Sequence, residues 1–175
     1  PNLDRLAASG MHFTHCCTTS PLCAPARIAL ATGLMAPRTG AYTNKDVLPP
    51  TVHTHYRHFR DHAYRVELVG RTDLDKPGAP GSIHGNRPLN FSYGFTRALE
   101  IEGGMACALA GRHGEVTGPY TRMLKERGYF KTYVDDFVAR SEKGWIVGAS
   151  HDSVLPCELH QDVFVGDAAV ERLQQ

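Results

Sequence analysis

Apolar residues recur along this chain at helical spacing in some stretches and in short continuous runs in others, and the changes between the two mark its elements. Leu3, Leu6 and Ala7 fall on one helical face, with Asn2 suited to cap that helix and Gly10 to stop it. Residues 11–17 then predict a strand, and a polar loop leads to Cys23. A helix opens there: Pro25 fits a first turn, where a missing N–H costs nothing, and Gly33 fits the exit. Residues 34–50 carry Pro37, Gly40, Pro49 and Pro50 and predict loop. Val52, Tyr56, Phe59 and Ala63 indicate a helix over residues 51–62, followed by a strand over 65–70. Three prolines and three glycines within residues 77–90 predict a long surface excursion. Helical patterns follow at 119–128, with Met123 and Leu124 apolar and Gly128 as terminator, and at 133–139. The glycine-bounded run 145–149 predicts a buried strand, and residues 158–175 a final helix. Strands alternating with helices imply a parallel sheet covered on both faces.

Composition narrows the picture only modestly. With 175 residues, 42% hydrophobic and 21% charged, the chain suffices for one domain with a real core. A net charge of +1 gives no reason to expect nucleic acid or a membrane surface as partner, and no apolar run approaches the length of a span. Five cysteines, Cys16, Cys17, Cys23, Cys107 and Cys157, lack the paired spacing of a structural zinc site. Reduced, mostly buried thiols are expected, which fits a cytoplasmic setting. Helix-like sequence begins directly after Pro1, and the last residues stop inside an amphipathic pattern, so a piece of a longer protein is expected.

The candidate chemistry gathers around Cys23. Arg27 stands four residues later, on the same helical face. The helix N-terminus adds free backbone N–H groups and a partial positive charge, so a potential nucleophile, a cation and an anion-binding helix end converge. Open α/β sheets bind ligands beyond the carboxyl ends of their strands. Strand 65–70 delivers Arg71 to that end, and run 145–149 delivers His151. Asp73 follows Arg71 closely, where a loop aspartate also makes a good turn residue. His55, His58 and His62 share a helical face with His53 just before them; a solvated surface accounts for them better than a zinc or nickel site. Arg112-His113-Gly114-Glu115, between a glycine-rich loop and a helix start, is rejected as a metal site.

Residues 21–33, Pro-Leu-Cys-Ala-Pro-Ala-Arg and onward to Thr32-Gly33, resemble the sulfatase maturation motif, Cys-x-Pro-Ser/Ala-Arg followed by Thr-Gly. Residues 1–7, 10–13, 38–40, 69–74, 144–146 and 150–156 also look like sulfatase segments, in the order of that family's N-terminal half, with the choline-sulfatase-like branch nearest in character. The resemblance implies an alkaline-phosphatase-like α/β/α sandwich with a mostly parallel sheet, present as an incomplete N-terminal part of one catalytic domain truncated at both ends. It implies hydrolysis of small-molecule sulfate monoesters after a maturation enzyme has oxidised Cys23 to formylglycine. Cys23 would then be both nucleophile and metal ligand, with Arg27 holding its hydrate and His151 protonating the leaving oxygen. Arg71 stands where most sulfatases place a sulfate-contacting lysine, and Asp73 where many carry a second histidine, so both would contact the substrate. The implied cofactor is a divalent metal, Ca2+ first and Mn2+ or Mg2+ as alternatives, with its other ligands outside these residues. A phosphonate or phosphodiester hydrolase of the same superfamily, and a non-catalytic sulfatase-like binding module, stay open as alternatives, as does self-association of the parent.

Overall fold

The computed structural model describes residues 1–76, 82–142 and 152–175. Glu67–Gly70 (β1) and Arg97–Glu100 (β2) pair in parallel, Glu67 opposite Arg97 and Gly70 opposite Glu100. A parallel pair needs a long crossover, and here the connection contains the helix Pro88–Tyr93. The remaining helices are α1 (Asn2–Ser9), α2 (Cys23–Thr32), α3 (Ala36–Thr39), α4 (His55–Asp61), α6 (Gly104–Gly111), α7 (Pro119–Glu126), α8 (Phe130–Glu142) and α9 (Gln161–Leu173), with Pro88–Tyr93 as α5. The fold is mixed α/β and rich in helix, and among the described residues its sheet has two strands.

One core forms where α2 meets β1. Ile28, Ala31, Leu48, Leu68, Leu74, Tyr93 and Phe95 are buried together, with Tyr56 and Val66 packed against them. Apolar burial supplies the stabilisation, about 1.5–3 kcal/mol for each large side chain fully removed from water. Two polar groups taken into this core find partners: the Tyr93 hydroxyl donates to the Leu48 carbonyl at 2.8 Å, and the Thr54 hydroxyl to the Tyr93 carbonyl at 2.5 Å. Thr54 also caps α4 by accepting from Arg57 N–H. A second cluster joins Tyr120 and Leu124 of α7 to Leu155 and Leu159, with Phe130, Tyr133 and Phe164 around it.

Several expectations need correction. Residues 11–17 form no strand; they are exposed, and a strand exists only where a neighbour takes its hydrogen bonds. Asn2 lies inside α1, and Pro1 occupies the capping position. The loop 34–50 contains α3, closed by Gly40 at φ 73°, and Val47 makes an isolated bridge with Asp75. The helix expected from residue 51 starts at His55, and the excursion expected through residue 90 gives way to α5 at Pro88. The glycine-rich loop expected before Arg112 gives way to α6 (Gly104–Gly111). Of the thiols, only Cys107 is buried; Cys16, Cys17, Cys23 and Cys157 are exposed. The strand expected at 145–149 and His151 lie outside the described residues.

One carboxylate of the sheet ties the C-terminal helix back to it. Arg172 of α9 donates to Glu67 of β1 at 2.7 Å, and Arg65 pairs with the same group. Burial pushes the Glu67 carboxyl up, but the hydrogen bonds and charges of Arg172 and Arg65 outweigh it and hold the group below its ordinary value. A folded value below the unfolded one gives stability that is complete above the ordinary carboxylate range and lost as pH falls through the folded value. Hydrogen-exchange protection factors across α9, referred to intrinsic rates at each pH, should therefore fall as the solution is acidified through and below the ordinary carboxylate range, and Arg172→Ala should remove most of that pH dependence. An α9 whose protection is flat through this range in the unsubstituted protein would contradict the assignment.

Candidate functional site

Helix α2 begins at Cys23, which is exposed at the helix mouth. Leu22 at the capping position supplies no side-chain acceptor, so the free N–H groups of the first turn need partners from elsewhere. Asn44, far along the chain, provides one: its Oδ1 accepts from Ala24 N–H at 3.0 Å. The helix leaves through Gly33 at φ 70°, a left-handed turn that glycine adopts without steric cost. Pro25 and Ile28 are buried against the core, which fixes the face on which Cys23 and Arg27 lie.

Because β1 and β2 run in parallel, their carboxyl ends open on the same side. Ile101 N–H donates to the Gly70 carbonyl at 2.8 Å, keeping residues 71–73 beside residues 101–103. Here Arg27, Arg71 and Lys76 meet one carboxylate. Arg71 Nη2 donates to Asp73 Oδ1 at 2.5 Å; Arg27 Nε lies 3.6 Å and Lys76 Nζ 3.8 Å from Asp73 Oδ2. Arg27 Nη1 also donates to the Arg71 carbonyl at 2.8 Å, so helix and strand end are joined directly. The Asp73 side chain is only 6% exposed, whereas Arg27 is 47% and Arg71 34% exposed: an anion beneath, with cations above it reaching toward solvent. Asp73 takes φ 52°, a conformation that aspartate tolerates better than most residues.

A second ionic layer supports the first. The Thr72 hydroxyl donates to Glu100 Oε1 at 2.6 Å, while Arg87 joins Glu100 Oε2 at 2.7 Å and Asp75 Oδ2 at 3.2 Å. Residues on both sides of Asp73 are thus tied to β2. The end of β2 is held in turn by Glu102, which accepts from the backbone N–H groups of Tyr120 and Thr121 and from the Thr121 hydroxyl, capping α7 from a distance. Gly103 allows the Arg71 guanidinium to lie close: a Cβ there would stand 2.5 Å from Arg71 Nη1.

Four of the five sequence-predicted site residues can be placed. Arg27, Arg71 and Asp73 converge, and Cys23 stands one turn before Arg27. The Asp73 carboxylate is turned to the cations, so its part is to position them. Sequence reasoning missed Lys76 and Asn44. Lys76 could have been suspected from its spacing of three after Asp73, whereas nothing local marks Asn44. For a divalent metal the fit is poor. Among the described residues no group of three His, Cys, Asp or Glu side chains could hold one, and Cys23 alone cannot satisfy a hard cation that takes six or more oxygen ligands. The histidines of α4 likewise form no such group; His62 Nδ1 bonds the His58 carbonyl of its own helix at 2.8 Å.

Two outcomes follow. Asp73→Asn keeps the shape and tolerates the backbone conformation but leaves three cations crowded without their anion, so it should lower unfolding stability by about 1–3 kcal/mol in a urea titration. A variant as stable as the parent would mean that the cluster is not cohesive. In the thiol-form protein, burial pushes Cys107 up to about 11, and it lies wholly inside. A disulfide reagent should label Cys16, Cys17, Cys23 and Cys157 in native buffer and Cys107 only in denaturant. Immediate reaction of Cys107 would contradict the packing of α6.

The family model described as Sulfatase matches residues 1–102. The chain is 39% identical over 74 residues to YidJ, an uncharacterized sulfatase of Escherichia coli (strain K12), covering 42% of this chain and 15% of that protein. It is 34% identical over 85 residues to the choline-sulfatase of Rhizobium meliloti (strain 1021), covering 49% and 16%. The chain thus spans less than a fifth of the length of these relatives. Its fold resembles the phosphonate monoester hydrolase of Agrobacterium radiobacter, with a TM-score of 0.63 and 21% identity over all of this chain and 33% of that one. That likeness extends to the fold alone. With the family model covering more than half of its residues, the chain belongs to the sulfatase family.

Proposed function

We propose that this chain carries the nucleophile and the sulfate-contacting cations of an enzyme that hydrolyses sulfate monoesters. The observation that carries the reading is the convergence of Arg27 and Arg71 on Asp73 beside the helix that begins at Cys23. The family match and the sulfatase relatives support the same reading.

The side chains suit the charge changes of the reaction. A sulfate ester gathers negative charge on its non-bridging and leaving oxygens as it is cleaved. Fixed cations held before the substrate arrives stabilise that charge without reorganising. Asp73 supplies that preorganisation for Arg27 and Arg71. Arg71, a planar fork in place of a lysine, offers two donors in one plane to an oxyanion. Asn44, bonded to the start of α2, sets the position of Cys23. Formylglycine made from Cys23 would supply a hydrated aldehyde, one of whose hydroxyls attacks sulfur while the other allows sulfate to be expelled. His151 is the proposed proton donor to the departing alcohol, since an imidazole can act as acid near neutral pH. A divalent metal, Ca2+ by preference, belongs to the reading as a cofactor of the whole enzyme, with its oxygen ligands supplied from outside these residues.

Two measurements test the reading. Co-produced with a formylglycine-generating enzyme, the chain should show at Cys23 the exchange of one sulfur and two hydrogens for one oxygen, and should react with an aminooxy probe. Cys23→Ala should abolish both signals. Inorganic sulfate should perturb the amide resonances of residues 23–27 and 71–73, and Arg71→Ala should weaken that binding about 10–100-fold. An unmodified Cys23 together with absent sulfate binding would favour a non-catalytic sulfatase-like module. Cleavage of phosphonate or phosphate diesters in preference to sulfate esters by the natural gene product would favour the hydrolase alternative.

A further inference from the structure

The histidine face expected on α4 divides in two. His55 turns to the body of the protein, its Nδ1 donating to the Ala31 carbonyl of α2 at 3.1 Å. His58 and His62 stay together at the other end of the helix, both exposed, with ring centroids 4.3 Å apart and planes inclined at 43°. Positions i and i+4 face the same way on a helix, so this closeness is written in the spacing. The two arginines of the helix are engaged elsewhere. Arg57 Nη2 donates to the Pro50 carbonyl at 2.5 Å and to the Ser92 carbonyl. Arg60 donates to the Phe91 carbonyl, and its guanidinium lies 4.5 Å over the Phe91 ring.

A hydrogen bond inside the pair decides which nitrogen is left to act. His62 Nδ1 lies 2.8 Å from the His58 carbonyl. A carbonyl only accepts, so Nδ1 carries the proton, and the Nε2 lone pair of the neutral ring stays open. Metal-binding histidines are oriented in the same way, by donation from the other ring nitrogen to a carbonyl or carboxylate. The His58 ring has no hydrogen-bond partner among the described residues. Two imidazole nitrogens on one tetrahedral ion, each about 2.0–2.1 Å from it, stand roughly 3.3 Å apart. Rotation of the unbonded His58 ring reaches that spacing from centroids 4.3 Å apart.

We propose that His58 and His62 form a two-histidine chelate for a transition-metal dication, Cu2+, Ni2+ or Zn2+, with water completing the coordination. Imidazole selects these ions over Ca2+ and Mg2+, which take oxygen ligands. Among the described residues no third histidine, cysteine or carboxylate joins the pair, so the ion keeps open positions. The site shares no residue with the cluster around Asp73 and does not rest on the sulfatase reading. Its effect is on the scaffold: α4 has seven residues, too few for a helix to hold by itself, and the ion bridges its last turn. An ion bound only by the folded state also stabilises that state by mass action.

A Zn2+ titration of the full chain, its exposed thiols first capped with iodoacetamide, tests the chelate. Zn2+ should shift the imidazole resonances of His58 and His62 together, and Ca2+ at the same concentration should shift neither. His58→Gln, at an exposed position, should weaken Zn2+ binding there about tenfold or more, since one of two ligands is lost. His53→Gln should leave the affinity unchanged, because that ring stands 6.2 Å from His58. Zn2+ that moves neither imidazole, an affinity that survives His58→Gln, or one that falls with His53→Gln would each overturn the proposal.

Discussion

Everything at the candidate site depends on one buried carboxylate. Asp73 is almost inaccessible, yet three cations from two stretches of chain reach it, and helix α2 is fastened to the end of β1 through it. Burying an anion is costly unless it is paired, and pairing forces the partners into fixed positions. Arg27 and Arg71 therefore sit close together despite their mutual repulsion, both reaching toward solvent. Remove the anion, and each guanidinium would solvate separately. The cluster is a way of holding positive charge in place before an anion arrives.

The scaffold transmits that order from the sheet. Parallel pairing in register sets residues 71–73 against 101–103, and Glu100 at the end of β2 and Glu102 just beyond it serve different ends. Glu100 locks Thr72 and Arg87, while Glu102 reaches across to cap α7. The glycine at 103 leaves room for Arg71.

How much of this was legible before the structure depended on the distance over which each feature is determined. Helix α2, with proline in its first turn and glycine at its exit, declares itself within a dozen residues, and β1 and α7 carry clear apolar runs. The α6 segment has glycine at both ends and small apolar residues on every side, so neither stripe nor cap announces it; packing against α8 makes it a helix. Strand β2 shows no enrichment in branched residues and gains its identity from pairing with β1. Residues 11–17 show the reverse case, with strand-like composition but no partner among the described residues. At the site, motif spacing revealed Cys23, Arg27, Arg71 and Asp73. Long-range geometry was needed to find Asn44 and to turn Asp73 from a substrate contact into the anchor of the cations.

The claim that Asp73 preorganises an anion site at the mouth of α2 is tested most directly by a crystal structure of the chain soaked in sulfate. A sulfate seated on the Arg71 guanidinium, on the side facing Cys23, with the Asp73 pairings intact, is the predicted result. A sulfate that binds elsewhere, or one that reaches Arg71 only after the Asp73 pairs have broken, would contradict it.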